Sequence, residues 1–316
     1  MSRSIEHEGA RSVTTFRSTP ATSPMFELAE GVLFDEAAEL VRWVDIWKGD
    51  VLAGRLTGDR IEIINSINLG QTAGAVALAS DGGLLLAAAR GLATVSPTGE
   101  ISFGPDLLGE RRDVRFNDGT VDPQGRFVVG TLALGEETGT EVLLRVSADG
   151  TVETLRNGIR LSNGVAFAPD GGTIYHVDTL ANTVAAHAYS DGAFDEAEPW
   201  EILLHDLPHH PDGLTVSADG TLWIAQWGGG CVRRHAPTGE LLDIVTVDAV
   251  QVSCPGFVGP DLDVLAITTA QEGLGTWSDQ SGALFLADVG AVGLPPHAWV
   301  GDTTTPSWHP QKAASA

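Results

Sequence analysis

Asp212-Gly213-Leu214-Thr215-Val216-Ser217-Ala218-Asp219-Gly220-Thr221-Leu222-Trp223-Ile224-Ala225 is followed by Cys231-Val232-Arg233-Arg234-His235, Pro237-Thr238-Gly239 and the apolar run Leu241 to Val245. Short apolar strands alternate here with Asp-Gly and Pro-Thr-Gly turns, and helical periodicity is absent. The run Leu84 to Ala89, Ala93-Thr94-Val95 and Pro97-Thr98-Gly99 is an almost parallel copy. The strand–turn–strand core recurs at Phe34-Asp35-Glu36, Ser80-Asp81-Gly82, Asp122-Pro123-Gln124-Gly125, Pro169-Asp170-Gly171, Ala218-Asp219-Gly220 and Pro260-Asp261, with aspartate-to-aspartate steps of 46, 41, 48, 49 and 42 residues. A period of this length, with several short strands per unit, marks β-propeller blades. A pair of β-sandwiches would share the turns but not the even spacing. The expected fold is therefore all-β, a six-bladed β-propeller with a central-channel metal site. The expected divisions are an N-terminal segment over 1–20, the propeller over 21–302 and a fraying tail over 303–316. Ring closure is assigned to Ser12 to Phe16, as the outer strand of a last blade that contains Val264 to Thr268 and Ala283 to Ala287.

Composition narrows the function. The chain has 316 residues and a formal net charge of −24, and its only lysines are Lys48 and Lys312. So few ammonium groups leave almost no candidate for a P-loop or a Schiff-base enzyme. No basic run exceeds Arg111-Arg112 or Arg233-Arg234, so neither nucleic acid nor an anionic membrane is an expected partner. The surplus of acids suits a soluble protein that holds cations. Cys231 and Cys254 make neither a disulfide framework nor a zinc knuckle, and read as small buried hydrophobes. Met1 to Arg17 lacks the apolar core of a secretory signal and no stretch reaches the ~18 apolar residues of a membrane span, so the expected compartment is the cytoplasm.

A second register runs through the repeats. Before each turn stands a residue–glycine step: Glu30-Gly31, Ala73-Gly74, Asp118-Gly119, Asn163-Gly164, Asp212-Gly213 and Pro255-Gly256. In a propeller the first strand of each blade lines the channel, so equivalent positions converge on one axis. That phase carries Glu30, Asn117 with Asp118, Asn163 and Asp212 in units one, three, four and five, but Ala73 and Pro255 in units two and six. Any one Asn-Gly or Asp-Gly pair is more often a turn. Four polar residues at one phase in four units instead suggest an oxygen-ligand site for a hard divalent cation, whose charge two carboxylates would balance.

Other candidates are weaker. His209-His210 points its two rings in different directions and is expected to line a cavity or be solvated. His176 and His187 sit in apolar strands as core residues. Gly228-Gly229-Gly230 has no following helix and reads as a hairpin turn. Trp223 is a core candidate, and Trp227 beside the glycine run is a candidate pocket wall. No Gly-x-Ser-x-Gly elbow or Gly-x-Gly-x-x-Gly fingerprint occurs.

The stretches Glu30-Gly31-Val32-Leu33-Phe34, Trp43-Val44-Asp45-Ile46, Arg115-Phe116-Asn117-Asp118-Gly119, Val121-Asp122-Pro123, Gly125-Arg126, Gly130-Thr131, Leu161-Ser162-Asn163-Gly164-Val165, Tyr175 to Asp178, Pro211-Asp212-Gly213-Leu214, Leu222-Trp223-Ile224-Ala225 and Gly282-Ala283-Leu284-Phe285 keep one order and spacing. From about Glu30 to about Gly293 the chain thereby resembles the gluconolactonase/regucalcin family of six-bladed propellers, the senescence-marker-protein type. The resemblance implies a metal-dependent hydrolase that opens a sugar lactone, with one divalent ion (Ca2+ or Zn2+ first, Mg2+ or Mn2+ also compatible). It places the ligands on Glu30, Asn163 and Asp212, with Asn117 joining directly or through water. It places substrate contacts on Arg115 and Asn117, beside Asp118, and the acid/base on Asp212. A metal-bound carboxylate is a poor base, so Asp212 is expected to hold the ion and orient the attacking water. Two departures stand out. The first element has Val32-Leu33-Phe34 where the family has a proline and a following Trp. After Gly130-Thr131-Leu132, where family lactonases carry an acidic substrate contact, acids arrive only at Glu136-Glu137. A calcium-dependent phosphotriesterase on the same scaffold and a non-catalytic calcium-binding propeller are the alternatives; the choice of lactone and the oligomeric state stay open.

Overall fold

The computed structural model describes residues 12–189, 193–195, 197–274 and 280–307. Among them there are strands and no helix, so no helix is long and apolar enough to cross a membrane. Blade one comprises β3 (Ala29–Asp35), β4 (Leu40–Asp45), β5 (Asp50–Thr57) and β6 (Arg60–Asn68). Blade two has β7 (Ala73–Leu78), β8 (Leu84–Ala88), β9 (Leu92–Val95) and β10 (Ile101–Phe103). Blade three has β11 (Val114–Val121), β12 (Phe127–Ala133), β13 (Glu141–Val146) and β14 (Val152–Ile159). Blade four has β15 (Ser162–Phe167), β16 (Thr173–Asp178), β17 (Thr183–Ala188) and β18 (Glu201–His205). Blade five has β19 (His210–Val216), β20 (Leu222–Trp227), β21 (Cys231–His235) and β22 (Leu241–Thr246). Blade six has β23 (Val252–Val258), β24 (Val264–Thr269) and β25 (Phe285–Asp288). Each blade is an antiparallel meander, and the first strands β3, β7, β11, β15, β19 and β23 pack in sequence around one axis.

The strands form where the apolar runs predicted them. The inner and middle ones are mostly buried because each blade is covered on both faces by its neighbours, while outer strands such as β6 and β18 keep exposed positions. Trp43 and Trp223 are fully buried, each edge-on to a phenylalanine: Phe26 for Trp43 and Phe257 for Trp223, both at 5.7 Å between ring centroids. The Asp-Gly turns carry their own hydrogen bonds. In blade five the Asp219 carboxylate accepts from Ser217 Oγ (2.7 Å), Thr221 Oγ1 (2.9 Å) and Arg234 Nη2 (2.6 Å), and Trp223 Nε1 donates to Ser217 Oγ (3.0 Å). The turn aspartate thus ties two strands to a core tryptophan.

Ring closure differs from the expected one. Thr14 to Arg17, which forms β1 (Thr14–Arg17), pairs in parallel with β22 as a fifth strand of blade five, while β2 (Thr19–Pro20) pairs with β25 and completes blade six. The reason lies in Phe16 and Ser18. Phe16 packs on the hydrophobic core shared by blades five, six and one, and Ser18 donates from N and Oγ to the Thr246 carbonyl, both at 3.0 Å. The N-terminal chain therefore covers the outer edges of two blades.

The expected frayed tail is also corrected at its start. Thr303 is buried and pinned to blade two: its N and Oγ1 donate to Asp81 Oδ2 (2.8 and 2.7 Å), and its carbonyl accepts from Thr94 Oγ1 (3.1 Å). Residues 308–316 lie outside the described residues. The segment leading to Thr303 runs beneath the ring. Ala218 N donates to Val292 O (2.8 Å), Trp299 N to Leu78 O (2.8 Å) and Val300 N to Gly125 O (3.1 Å), joining blades five, two and three.

Against the opposing push of burial, the hydroxyls of Ser217 and Thr221, the Thr221 amide and Arg234 hold Asp219 down to about 2. Asp219→Ala is expected to cost about 1 kcal/mol at pH 7, read as a lower urea midpoint. Because the folded pKa is depressed, this contribution is complete above the ordinary aspartate value and fades as the pH falls towards 2. A difference that grows on acidification would contradict this role for the turn.

Candidate functional site

All six inner strands break register near their starts. The shifts fall between Glu30 and Leu33, Ala73 and Ala75, Phe116 and Gly119, Ser162 and Val165, Pro211 and Leu214, and Val252 and Pro255. A β-bulge re-aims the side chains it contains. Asn117, Asn163 and Asp212 lie inside these bulges and Glu30 sits at the edge of its own. The glycines that follow permit close strand approach. A Cβ on Gly164 would lie 2.7 Å from the Asp212 carbonyl oxygen, and one on Gly213 would lie 2.7 Å from Cys254 Sγ. The residue–glycine register is thus the bulge itself. In blade six the bulge holds Ser253-Cys254 rather than Pro255, and Ser253 Oγ is spent on the Ala29 carbonyl (2.6 Å).

Two buried aspartates set the entry of the chain into these strands. Asp45, at the end of β4, accepts from the amides of Glu27 (3.0 Å) and Leu28 (3.1 Å), just before Glu30. Asp178, at the end of β16, accepts from the amides of Arg160 (3.0 Å) and Leu161 (3.1 Å), just before Asn163. Both lie in quoted sequence motifs, and their shared repeat phase was the signal for this role.

Glu30, Asn117, Asn163 and Asp212 line one cavity of about 520 Å³ together with Arg115, Trp47, Thr179, His210, Trp227, Gln251 and Glu272. The structure thus brings together all the expected ligands and Arg115. Asn163 Nδ2 donates to Asp212 Oδ1 and to Thr179 Oγ1 (3.2 Å), and Thr179 Oγ1 donates to the Pro211 carbonyl (2.8 Å). With its amide nitrogen turned to a carboxylate, Asn163 presents its carbonyl oxygen, which is buried and has no hydrogen-bond partner. Arg115 Nη1 donates to Asn117 Oδ1 (2.7 Å) and to the Phe116 carbonyl (2.8 Å), and its guanidinium lies 5.0 Å from the Trp47 ring centroid. Asn117 Nδ2 donates to Ser162 O (2.9 Å), so both polar atoms of Asn117 are engaged.

Asp118 lies elsewhere. Its carboxylate accepts from the Gly119 amide (2.7 Å), and it lines a second, smaller cavity with Cys254 and the strap residues Leu294 to His297. It occupies the second place of the bulge, and from there its charge still acts on Glu30 and Asp212. Trp227 walls the main cavity and Trp223 is core, and His210 sits at the rim with Nδ1 3.3 Å from the Thr179 carbonyl. Glu136 and Glu137 are exposed; Glu137 pairs with Arg160, and neither lines the cavity. Sequence reasoning did not find Glu272, Thr179 or Trp47, which come from connections outside the repeat phase.

The electrostatics follow from burial. Desolvation, followed by the Asp212 and Asp118 carboxylates, raises Glu30 well above the usual range. Desolvation, followed by Asp118, raises Asp212 likewise. Burial pushes the Arg115 guanidinium down to about 10 against the pull of Glu272 and Glu30, and lifts Asp118 to about 6. Among the described residues no three His, Cys, Asp or Glu side chains converge as a metal-binding group. The donor set is instead two carboxylates and an amide oxygen. An unpartnered carbonyl oxygen on one cavity with two buried carboxylates, neither of them in an ion pair among the described residues, fits a hard divalent cation.

Asp178→Ala is expected to cost about 1–3 kcal/mol by leaving the part-buried amides of Arg160, Leu161 and Ala181 without their acceptor. Cation-free Glu30→Gln, by contrast, should be more stable than the parent, because it removes a carboxyl group whose charged form burial and the neighbouring Asp212 and Asp118 disfavour. Chemical denaturation of both variants checks the two signs.

Residues 28–271 match the sequence family described as SMP-30/Gluconolactonase/LRE-like region. The chain is 33% identical to a pentonolactonase of Haloferax volcanii, over 85% of this chain and 93% of that protein. It is 30% identical to a 6-deoxy-6-sulfogluconolactonase of Pseudomonas putida, over 80% and 90% respectively. Among solved structures it resembles a regucalcin from Agrobacterium tumefaciens, described as a calcium-binding protein, with a TM-score of 0.84 and 27% identity over 91% of this chain and 99% of that one.

Proposed function

The chain belongs to the SMP-30/gluconolactonase/LRE-like family, and from that membership we propose that it is a divalent-metal-dependent hydrolase opening a sugar lactone to its aldonic acid. The observation that carries the proposal is the unpartnered Asn163 carbonyl oxygen on the same cavity as buried Glu30 and Asp212 and the Arg115 guanidinium. Glu30, Asn163 and Asp212 would hold the ion, with Asn117 beside them. When bound, the ion supplies Lewis-acid polarisation of the lactone carbonyl. Ca2+ and Zn2+ are the first candidates, and Mg2+ and Mn2+ suit the same oxygen donors.

The residues of the chain supply the rest. Arg115, fixed by Asn117 and stacked on Trp47, offers a planar fork to ring hydroxyls. Trp47 offers a flat apolar surface to the ring itself. Asp212 orients the attacking water, which gives up a proton to the site as the oxygen–carbonyl-carbon bond forms. The ring C–O bond then breaks, the ring oxygen leaves as a hydroxyl bearing a proton returned from the site, and the acid ionises in water. Asn163 and Thr179 hold Asp212 in place for this work through the amide bridge to its carboxylate. The apolar wall of Leu132, Ala133 and Leu134 favours one second reading, a phosphotriester with a hydrophobic leaving group.

A panel of aldonolactones and one organophosphate, assayed metal by metal after chelation, separates these readings. Lactone opening that disappears with chelator and returns with one divalent ion is the expected result. Asp212→Asn is expected to lower kcat at least 10²-fold and to remove the cation-induced rise in Tm. Arg115→Lys should raise KM about tenfold and leave the cation effect on Tm in place. Undiminished lactone hydrolysis by Asp212→Asn would exclude the assigned role.

A further inference from the structure

The walls of the cavity are chemically unlike. Strand β12 ends in Leu132 and Ala133, and these line the cavity with Leu134, whose side chain is left exposed. The acids that follow are spent elsewhere, Glu137 on Arg160. A carboxylate arrives instead from blade six, on the connection after β24. There the amides of Gln271 and Glu272 both donate to the Glu27 carbonyl (3.0 and 3.2 Å), which anchors the Glu272 backbone next to the start of blade one. Glu272 is half-buried, lines the same cavity as Arg115, and among the described residues its carboxylate accepts no hydrogen bond.

Building on the lactonase reading, we infer that Glu272 is a specificity-determining residue: it cancels the Arg115 charge, so the cavity selects neutral aldonolactones, disfavours lactones bearing sulfate or phosphate, and repels the aldonate product. The charge census supports this. The cavity holds three carboxylates, Glu30, Asp212 and Glu272, and one guanidinium, Arg115. With a divalent ion in place, the charges on the lining offset one another, and Asp118 in the adjoining cavity adds further negative charge that acts on Glu30 and Asp212. Removing Glu272 would make the site one unit more positive in a medium of low dielectric, where a single charge has a large effect on an anionic guest. Of the two carboxylates that act on Arg115, Glu272 exerts the larger pull, and Glu272 also acts on Asp212. Hydrolysis turns a neutral ring into an anion at the place where the ring was bound. A site whose guanidinium is offset by an acid on the same cavity wall releases that anion, whereas a site left one unit more positive retains it.

The test compares the parent protein, Glu272→Gln and Glu137→Gln, the last removing a carboxylate outside the cavity. Binding of a pentonate is measured by calorimetry, and kcat/KM is measured for a neutral pentonolactone and a 6-sulfated hexonolactone. The parent is expected to prefer the neutral lactone. Glu272→Gln should bind the pentonate about tenfold tighter and shift the kcat/KM ratio towards the sulfated lactone by a similar factor, while Glu137→Gln behaves like the parent. A parent that treats both lactones alike, unchanged pentonate affinity in Glu272→Gln, or equal shifts in both variants would each overturn the inference. If no lactone is opened by any of the three, the lactonase reading fails, and the pentonate titration still decides the charge role of Glu272.

Discussion

Burying two carboxylates in one narrow channel is the constraint around which this molecule is arranged. Glu30 and Asp212 are almost fully excluded from solvent, each is pushed towards its neutral form, and each is worsened by other acids nearby. Such an arrangement is costly in a protein that has no use for it. It persists because the surrounding propeller over-determines it. Every blade contributes an inner strand to the channel wall, and flanking sheets bury both faces of each strand, so no single side chain can relax outwards without disturbing two blades.

The precision of the site comes from local devices repeated around the ring. Bulges turn the polar residues inward, and Asp45 and Asp178 each clamp two backbone amides one turn upstream of a candidate ligand. The amide of Asn163 bridges Asp212 and Thr179 across blades four and five. These supports are hydrogen bonds to buried groups, which strengthen in low dielectric and are severe when broken. A site built this way holds its geometry before any ligand arrives, which is what a polarising centre requires.

Much of this was legible in the chain because repetition multiplies a weak signal. One aspartate turn is only a turn, but six at near-equal spacing are a propeller, and four polar residues at one phase of that repeat are a ring. The errors arose where repetition stops. The closing strands at Thr14–Arg17 and Thr19–Pro20 belong to no repeat, and their register was set by Phe16 finding a core made by distant residues. Thr303 was read as tail because its partner, Asp81, is more than two hundred positions away. Asp118 follows Asn117 directly yet lines the second cavity, because adjacency in sequence does not reveal which cavity each of two bulged residues reaches.

The amino-acid sequence by itself determined the number of blades, the strand-and-turn grammar and the polar residues that meet on the axis, since all three follow from local propensity at a fixed period. Tertiary structure alone decided how the ring closes, which face of the channel each bulged side chain takes, and that Glu272 comes to stand on the cavity wall with Arg115. Those outcomes depend on packing between segments that are remote along the chain, where no local preference acts and only the assembled surface selects the partner.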